Sequence, residues 1–288
     1  MLGTEVASAL ENKELPFCAT DLDVDITDRK AVADFTAEKA ITWIVNCAAY
    51  TAVDDAEDNE DLAHRINAVG PGILAKTADR LDATMIHIST DYVFNGEASV
   101  PYEVDVMPDP RSVYGETKLA GEASVHAATK RYFIVRTAWL FGKNGKNFVS
   151  TMLNLMQNRN ELKVVSDQRG TPTYVADLAH TLTEFIRRES DNYGMYHYTN
   201  EGSTNWYEFA CEIYATGTKM GIITNLCDIL PVPSSQYPTK ASRPAYSVLS
   251  RKKIESELDM SIPEWKHALD RFLSDEIVRR NQGDHQNE

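Results

Sequence analysis

Cysteine is scarce in this sequence. Cys18, Cys47, Cys211 and Cys227 are the four in 288 residues, and no two share the paired spacing of a zinc knuckle or a disulfide framework. Such cysteines are expected to be small buried hydrophobes in a reducing compartment, the cytoplasm. Positive charge is also short. Lys plus Arg number 29 against 43 Asp plus Glu, a net charge of −14, which argues against a nucleic-acid surface or an anionic membrane as partner. An anionic ligand would then need a local basic side chain or a helix N-terminus. The seven histidines form no HxxxH pattern, and no metal site is expected. No run approaches ~18 consecutive apolar residues, and Met1-Leu2-Gly3 does not open a charged region followed by an apolar one. Neither a membrane span nor an export signal is read.

What the chain does have is alternation. Apolar runs bounded by polar residues occur at 16–20, 42–49, 83–90, 132–137 and 162–165. Helical patterns occupy 1–12, the stretch after a cap at Thr27 or Asp28 to about 39, 59–81, the segment containing Tyr114, and 147–158. Strands alternating with helices predict an α/β fold with a doubly wound parallel sheet. From about residue 167 the pattern shifts to a turn-rich loop, helices near 175–188 and 206–215, short strands at 196–198 and 229–232, and helices near 251–258 and 263–280. This second part, 167–280, is expected to form a smaller α/β cap partly interleaved with the 1–166 core, with 281–288 as a flexible tail lacking apolar anchors.

Ligands of such sheets bind at the carboxyl ends of the strands. Three clusters fall there: Ala48-Ala49-Tyr50-Thr51, Ser89-Thr90-Asp91-Tyr92 and Arg136-Thr137-Ala138-Trp139. Between the last two stands Ser112-Val113-Tyr114-Gly115-Glu116-Thr117-Lys118. On a helix, positions i and i+4 share a face, so the Lys118 ammonium can lie near the Tyr114 phenol and favour its ionised form. With 13 tyrosines in the chain the spacing alone is weak evidence, and a solvated helix face would also produce it. A strand-end hydroxyl at Thr90 beside this pair offers two hydrogen bonds to one substrate oxygen, a site for carbonyl/alcohol redox chemistry.

Together with Asn46-Cys47-Ala48-Ala49-Tyr50-Thr51-Ala52-Val53-Asp54, Ile66-Asn67-Ala68 and Arg243-Pro244, these segments resemble the extended short-chain dehydrogenase/reductases and, within them, the dTDP-4-dehydrorhamnose reductases. The resemblance implies a Rossmann-type core that binds NADPH or NADH, a C-terminal substrate domain, and reduction of a nucleotide-linked 4-keto-6-deoxy sugar. It implies Tyr114 as proton donor, Lys118 as its tuner and ribose ligand, and Thr90 as the hydroxyl partner. Gly3, Asp25, Ile26, Ala48, Ala49, Thr51 and Asn67 match cofactor-lining positions. Asp91, Tyr92, Trp139 and Arg243 match the substrate side, where an indole suits a sugar ring and a guanidinium a diphosphate. A homodimer is compatible with the family.

Two neighbours of this activity separate by sequence. A 4,6-dehydratase of the same resemblance would carry Asp-Glu after the threonine, whereas Asp91 is followed by Tyr92. A 4-epimerase, or another nucleotide-sugar reductase, stays open. So does a non-catalytic binding subunit of the same fold, similar to the regulatory subunit of methionine adenosyltransferase. The resemblance also implies an opening strand and a Gly-rich turn for the cofactor pyrophosphate. Gly3 matches the last glycine of that turn, and the strand and earlier glycines are missing. A start lying upstream of Met1, a shortened binding paralogue and a fragment are the readings, and weakened dinucleotide affinity is expected of the chain as given.

Overall fold

The structure, a computed structural model, describes residues 1–284. Its centre is a parallel four-stranded sheet in the order β1 (Trp43–Asn46), β2 (Thr84–Thr90), β3 (Tyr132–Thr137), then the strand Gly194–His197. Strands two and three are buried nearly throughout, as continuous apolar runs in a parallel sheet should be. Three small two-stranded ladders lie outside it: Glu161–Val165 with Asp228–Val232, Leu140–Phe141 with Thr173–Tyr174, and Arg169–Gly170 with Thr204–Asn205.

The expected alternation is largely realised, with instructive departures. The run 16–20 is irregular and exposed, Cys18 included, because no strand among the described residues lies alongside to complete its ladder. Likewise, the strand near 196–198 joins the central sheet as Gly194–His197, and Leu162–Val165 leaves it to pair with Asp228–Val232. The last helix, Trp265–Asp284, runs into the expected tail, whose residues 285–288 lie outside the described ones. No helix among the described residues is long and apolar enough to cross a membrane.

One large core joins Leu2, Val6 and Leu10 of the first helix to Phe133 and Val135 of β3 and to Val175, Leu178, Leu182 and Phe185 of the helix Val175–Arg187. A second fills the opposite side of the sheet with Ile73, Leu74, Met85, Val125 and Ile134. The helical stretch 59–81 is real but broken. A π-helical turn, Arg65–Val69, interrupts it and turns Asn67 inward, a distortion that recurs at functional sites.

Val113–Ala128 is the helix that carries Tyr114 and Lys118. Ser112 caps it, its hydroxyl accepting from the Gly115 N–H at 3.2 Å. Its close seating depends on two glycines: a Cβ at Gly115 would stand 2.3 Å from the Tyr92 carbonyl oxygen, and one at Gly121 2.1 Å from the Asn67 carbonyl oxygen. Because both obstacles are backbone, Gly121→Ala is expected to cost about 1–3 kcal/mol through forced separation of helix and π-turn. The drop in urea midpoint would measure it, and an unchanged midpoint would show that the contact is not tight.

Candidate active site

The carboxyl end of β2 and the first turns of the Val113–Ala128 helix bring Thr90, Asp91, Tyr92, Tyr114 and Lys118 together. The Thr90 hydroxyl donates to Asp91 Oδ1 at 3.0 Å and accepts from the Tyr92 N–H at 3.2 Å. Tyr114 lies beside Thr90, and its ring meets that of Tyr92 edge to face at 5.5 Å. Although the Tyr114 ring is only half-buried, its hydroxyl end is enclosed, and desolvation holds the phenol well above its ordinary range while the Thr90 contact opposes that rise.

Lys118 follows one turn later on the same helix and is buried. Its ammonium donates to the Ile88 carbonyl at 2.6 Å, and burial lowers its pKa to about 8 against the opposing pull of Glu122. In this arrangement the cation is anchored on β2. The helical spacing does place Tyr114 and Lys118 on one face, but desolvation dominates the phenol.

Asn67 clamps the end of β1. Its Oδ1 accepts from the Tyr50 N–H at 2.8 Å, and its Nδ2 donates to the Tyr50 carbonyl and to the Thr117 hydroxyl, each at 3.1 Å. Both amide hydrogens are thereby committed, and Ala48, Ala49 and Thr51 are held beside the helix with Ala48 and Thr51 exposed. Gly3 is exposed on the first helix, Leu2–Asn12, whose first turn has no side-chain cap; a Cβ on Gly3 would lie 3.6 Å from that of Cys47. Asp25 and Ile26 stand farther out. The Asp25 carboxylate accepts from the Thr27 N–H at 2.8 Å, and the Ile26 side chain abuts Gly70.

On the other side, Arg243 reaches the cluster but is already engaged. Its guanidinium donates to Asp54 Oδ2 at 2.8 Å and to the Tyr92 hydroxyl at 3.3 Å. The Ala241 N–H adds a bond to Asp54, and Lys240 pairs with Asp58, so the segment 240–243 is strapped across the site. Trp139 sits at the end of β3 with φ +47°, a conformation costly for a bulky residue. Its indole stacks on Trp206 at 3.5 Å between ring centroids, and Gly170 abuts it so closely that a Cβ there would come within 2.6 Å of the Trp139 ring.

Sequence reasoning missed what lies beneath. Glu122 and Arg136 form a buried bidentate pair, Nε to Oε1 at 2.8 Å and Nη2 to Oε2 at 2.7 Å, and the Ser89 hydroxyl donates to the same Oε1 at 2.5 Å. Glu122 follows Lys118 by one helical turn, a signal that could have found it. Breaking one partner should be severe: Glu122→Leu is expected to cost about 3–5 kcal/mol, and the double change with Arg136→Met to recover most of it. A double variant no more stable than E122L in urea melts would contradict this.

Two histidines complete the polar floor. His87 accepts at Nδ1 from the Asn46 amide at 3.1 Å, and His197 donates from Nδ1 to the Tyr102 carbonyl at 3.1 Å. Burial holds His87 well below its ordinary pKa and brings His197 down to about 3, helped there by Arg136. Both stay neutral in the fold while the unfolded chain protonates below about 6.5, so stability is full above that pH and falls below it at up to about 1.4 kcal/mol per pH unit per histidine. Asp91, raised to about 6 by burial, has the opposite sign and offsets part of this only below its folded value. The urea midpoint is therefore expected to be lower at pH 5 than at pH 7.5, with a smaller difference in His197→Gln.

The chain is similar to known proteins over nearly its whole length. The family model described as "RmlD substrate binding domain" matches residues 1–278. The chain is 40% identical over 275 residues to the spore coat polysaccharide biosynthesis protein SpsK of Bacillus subtilis, covering 95% of this chain and 94% of that one. It is 36% identical to the dTDP-4-dehydrorhamnose reductase of Salmonella typhimurium, covering 95% and 90%. Among solved structures, it is similar to the dTDP-4-dehydrorhamnose reductase of Bacillus anthracis in complex with NADP, with a TM-score of 0.90, 38% identity and 95% of each chain covered.

Proposed function

The chain belongs to the RmlD substrate binding domain family, and on that premise we propose that it reduces dTDP-4-dehydrorhamnose to dTDP-L-rhamnose with NADPH. The observation that carries this reading is the gathering of Thr90, Tyr114 and a buried Lys118 about the end of β2, where the Lys118 ammonium donates to the Ile88 carbonyl. Relatives at 36–40% identity that share nearly the whole chain support it.

The residues present suit a dinucleotide on this structure's own terms. Ala48 and Thr51 expose a strand end that Asn67 holds open, the first turn of Leu2–Asn12 keeps N–H groups free of side-chain caps, and Lys118 lies beside Cys47 at the same edge. When bound, NADPH supplies the hydride for the sugar carbonyl carbon. Tyr114 then gives its proton to the carbonyl oxygen, and Thr90 orients that oxygen. Lys118, whose depressed pKa reflects burial, gains from any anionic or phenolate neighbour and stabilises the charge that develops on Tyr114.

Trp139, held face to face with Trp206, supplies a flat apolar wall for the deoxy sugar. Arg243 exchanges Asp54 for a diphosphate oxygen, since a guanidinium fork suits either anion. In this reading residues 1–166 mainly hold the dinucleotide and 167–280 the sugar nucleotide, in a soluble cytoplasmic enzyme that works alone or as a homodimer.

The test is NADPH oxidation with dTDP-4-keto-6-deoxy-L-mannose. Turnover is expected, and Tyr114→Phe should lower kcat by about 100- to 10,000-fold, the range for loss of a positioned proton donor. A Y114F variant as fast as the parent would remove the phenol from the chemistry.

A further inference from the structure

Arg243, the guanidinium assigned to the diphosphate, already holds an anion. Its Nη2 donates to Asp54 Oδ2 at 2.8 Å, and its Nη1 donates to the Tyr92 hydroxyl at 3.3 Å. The other cation of the segment is matched in the same way, Lys240 pairing with Asp58. Between Asp228 and Ser250 these two are the only lysine or arginine. Both pair with carboxylates of one acidic turn that includes the short helix Val53–Ala56. Glu57 of that turn accepts from the Val113 N–H at 3.0 Å, so the turn is itself fixed against the Val113–Ala128 helix. In a chain with a net charge of −14, the local positive charge that an anionic ligand needs is thus neutralised from within.

The backbone under Arg243 is held in place. Pro244 follows it and confines Arg243 to extended backbone, and a Cβ on Gly96 would lie 2.7 Å from the Pro244 Cα. The next residues are tied down as well: the Ala245 carbonyl accepts from the Arg169 N–H at 2.8 Å, and the Tyr246 N–H donates to the Gly96 carbonyl at 3.2 Å. Any exchange of partners is therefore left to the arginine side chain. The pair is open enough to exchange. The side chains of Arg243 and Asp54 are 27% and 38% exposed, so a released carboxylate is hydrated, and a pair of this kind holds only weakly. Asp54 also keeps a bond that does not involve the arginine, its Oδ1 accepting from the Ala241 N–H at 3.1 Å.

We propose that Asp54 is an internal competitor of the nucleotide: a resident counter-ion that the incoming diphosphate must displace from Arg243, and that takes the guanidinium back when the nucleotide leaves. The inference deepens the reductase reading above and rests on it. A diphosphate offers several acceptor oxygens and more than one negative charge, so it outmatches one carboxylate at the same guanidinium. The exchange is not free, because the Asp54 contact is given up and its charge then stands near the ligand. Asp54 thereby loosens a complex that would otherwise hold substrate and product alike more tightly, since both carry the diphosphate.

A competitor and a residue that merely positions Arg243 behave in opposite ways when Asp54→Asn is made. The asparagine keeps an oxygen for the Ala241 N–H and removes the charge that faces the guanidinium. Calorimetric titration of the full chain with thymidine diphosphate is expected to give a Kd about two- to fivefold lower in D54N than in the parent, the range that breaking a part-exposed ion pair corresponds to. Because the expected change is a gain, partial unfolding cannot imitate it. Asp55→Asn removes an exposed charge one residue away and is expected to change Kd by less than about 1.5-fold, since such charges are screened. With Arg243→Gln already in place, D54N is expected to gain less than about 1.5-fold, because the partner it frees is gone.

An equal or higher Kd in D54N would overturn the competitor and make Asp54 a support for Arg243. The same gain in D55N, or a gain that persists beside R243Q, would overturn it in favour of general charge relief. A parent that turns over the sugar nucleotide while D54N binds thymidine diphosphate no more tightly would sink the competitor and leave the reductase reading standing. The expected binding pattern without parental turnover would count against the sugar assigned as substrate and uphold the competitor. A parent that binds no thymidine diphosphate would overturn both.

Discussion

The site stands on a buried ion pair. Glu122 and Arg136 tie the Val113–Ala128 helix to β3 across β2, and Ser89 of β2 joins the same carboxylate. In the parallel register Ser89 lies opposite Arg136 and Thr90 opposite Thr137, so the pair lies one residue below the Thr90 hydroxyl. Desolvating two charges is costly, and only full hydrogen bonding offsets it. What the pair provides here is alignment: once helix and strands are locked, Tyr114 and Lys118 have little freedom relative to Thr90.

Close backbone contact does the rest of the positioning. Gly115 and Gly121 let the helix approach Tyr92 and Asn67 nearer than any side chain would allow. The π-turn that makes Asn67 available is a local distortion, and its return is a single amide that fixes Tyr50 on one side and Thr117 on the other. Sheet, helix and strand-end loop thus become one rigid frame around two hydroxyls and an ammonium.

The side that carries Trp139 and Arg243 is built differently. Trp139 holds a strained left-handed backbone under its stack with Trp206, and Arg243 is held by Asp54 and Tyr92. These contacts come from segments far apart in the chain. They join a rigid aromatic wall to a charged strap whose present partner is an anion like the one it would meet in a sugar nucleotide.

Much of this was legible in one dimension. Apolar runs marked β2 and β3, the Tyr–Lys spacing marked one helix face, and the strand-end segments marked where a candidate site gathers, because periodicity and motif spacing are local properties of the chain. The run at 16–20 has strand-like composition yet stays irregular, since a strand exists only where a neighbour supplies the ladder. The direction of the Thr90 hydrogen bond, the anchoring of Lys118 on Ile88, the burial that dominates the Tyr114 phenol, and the pairing of Glu122 with Arg136 were decided only in three dimensions. Each depends on distance and desolvation between segments that the sequence separates, and a sequence records neither.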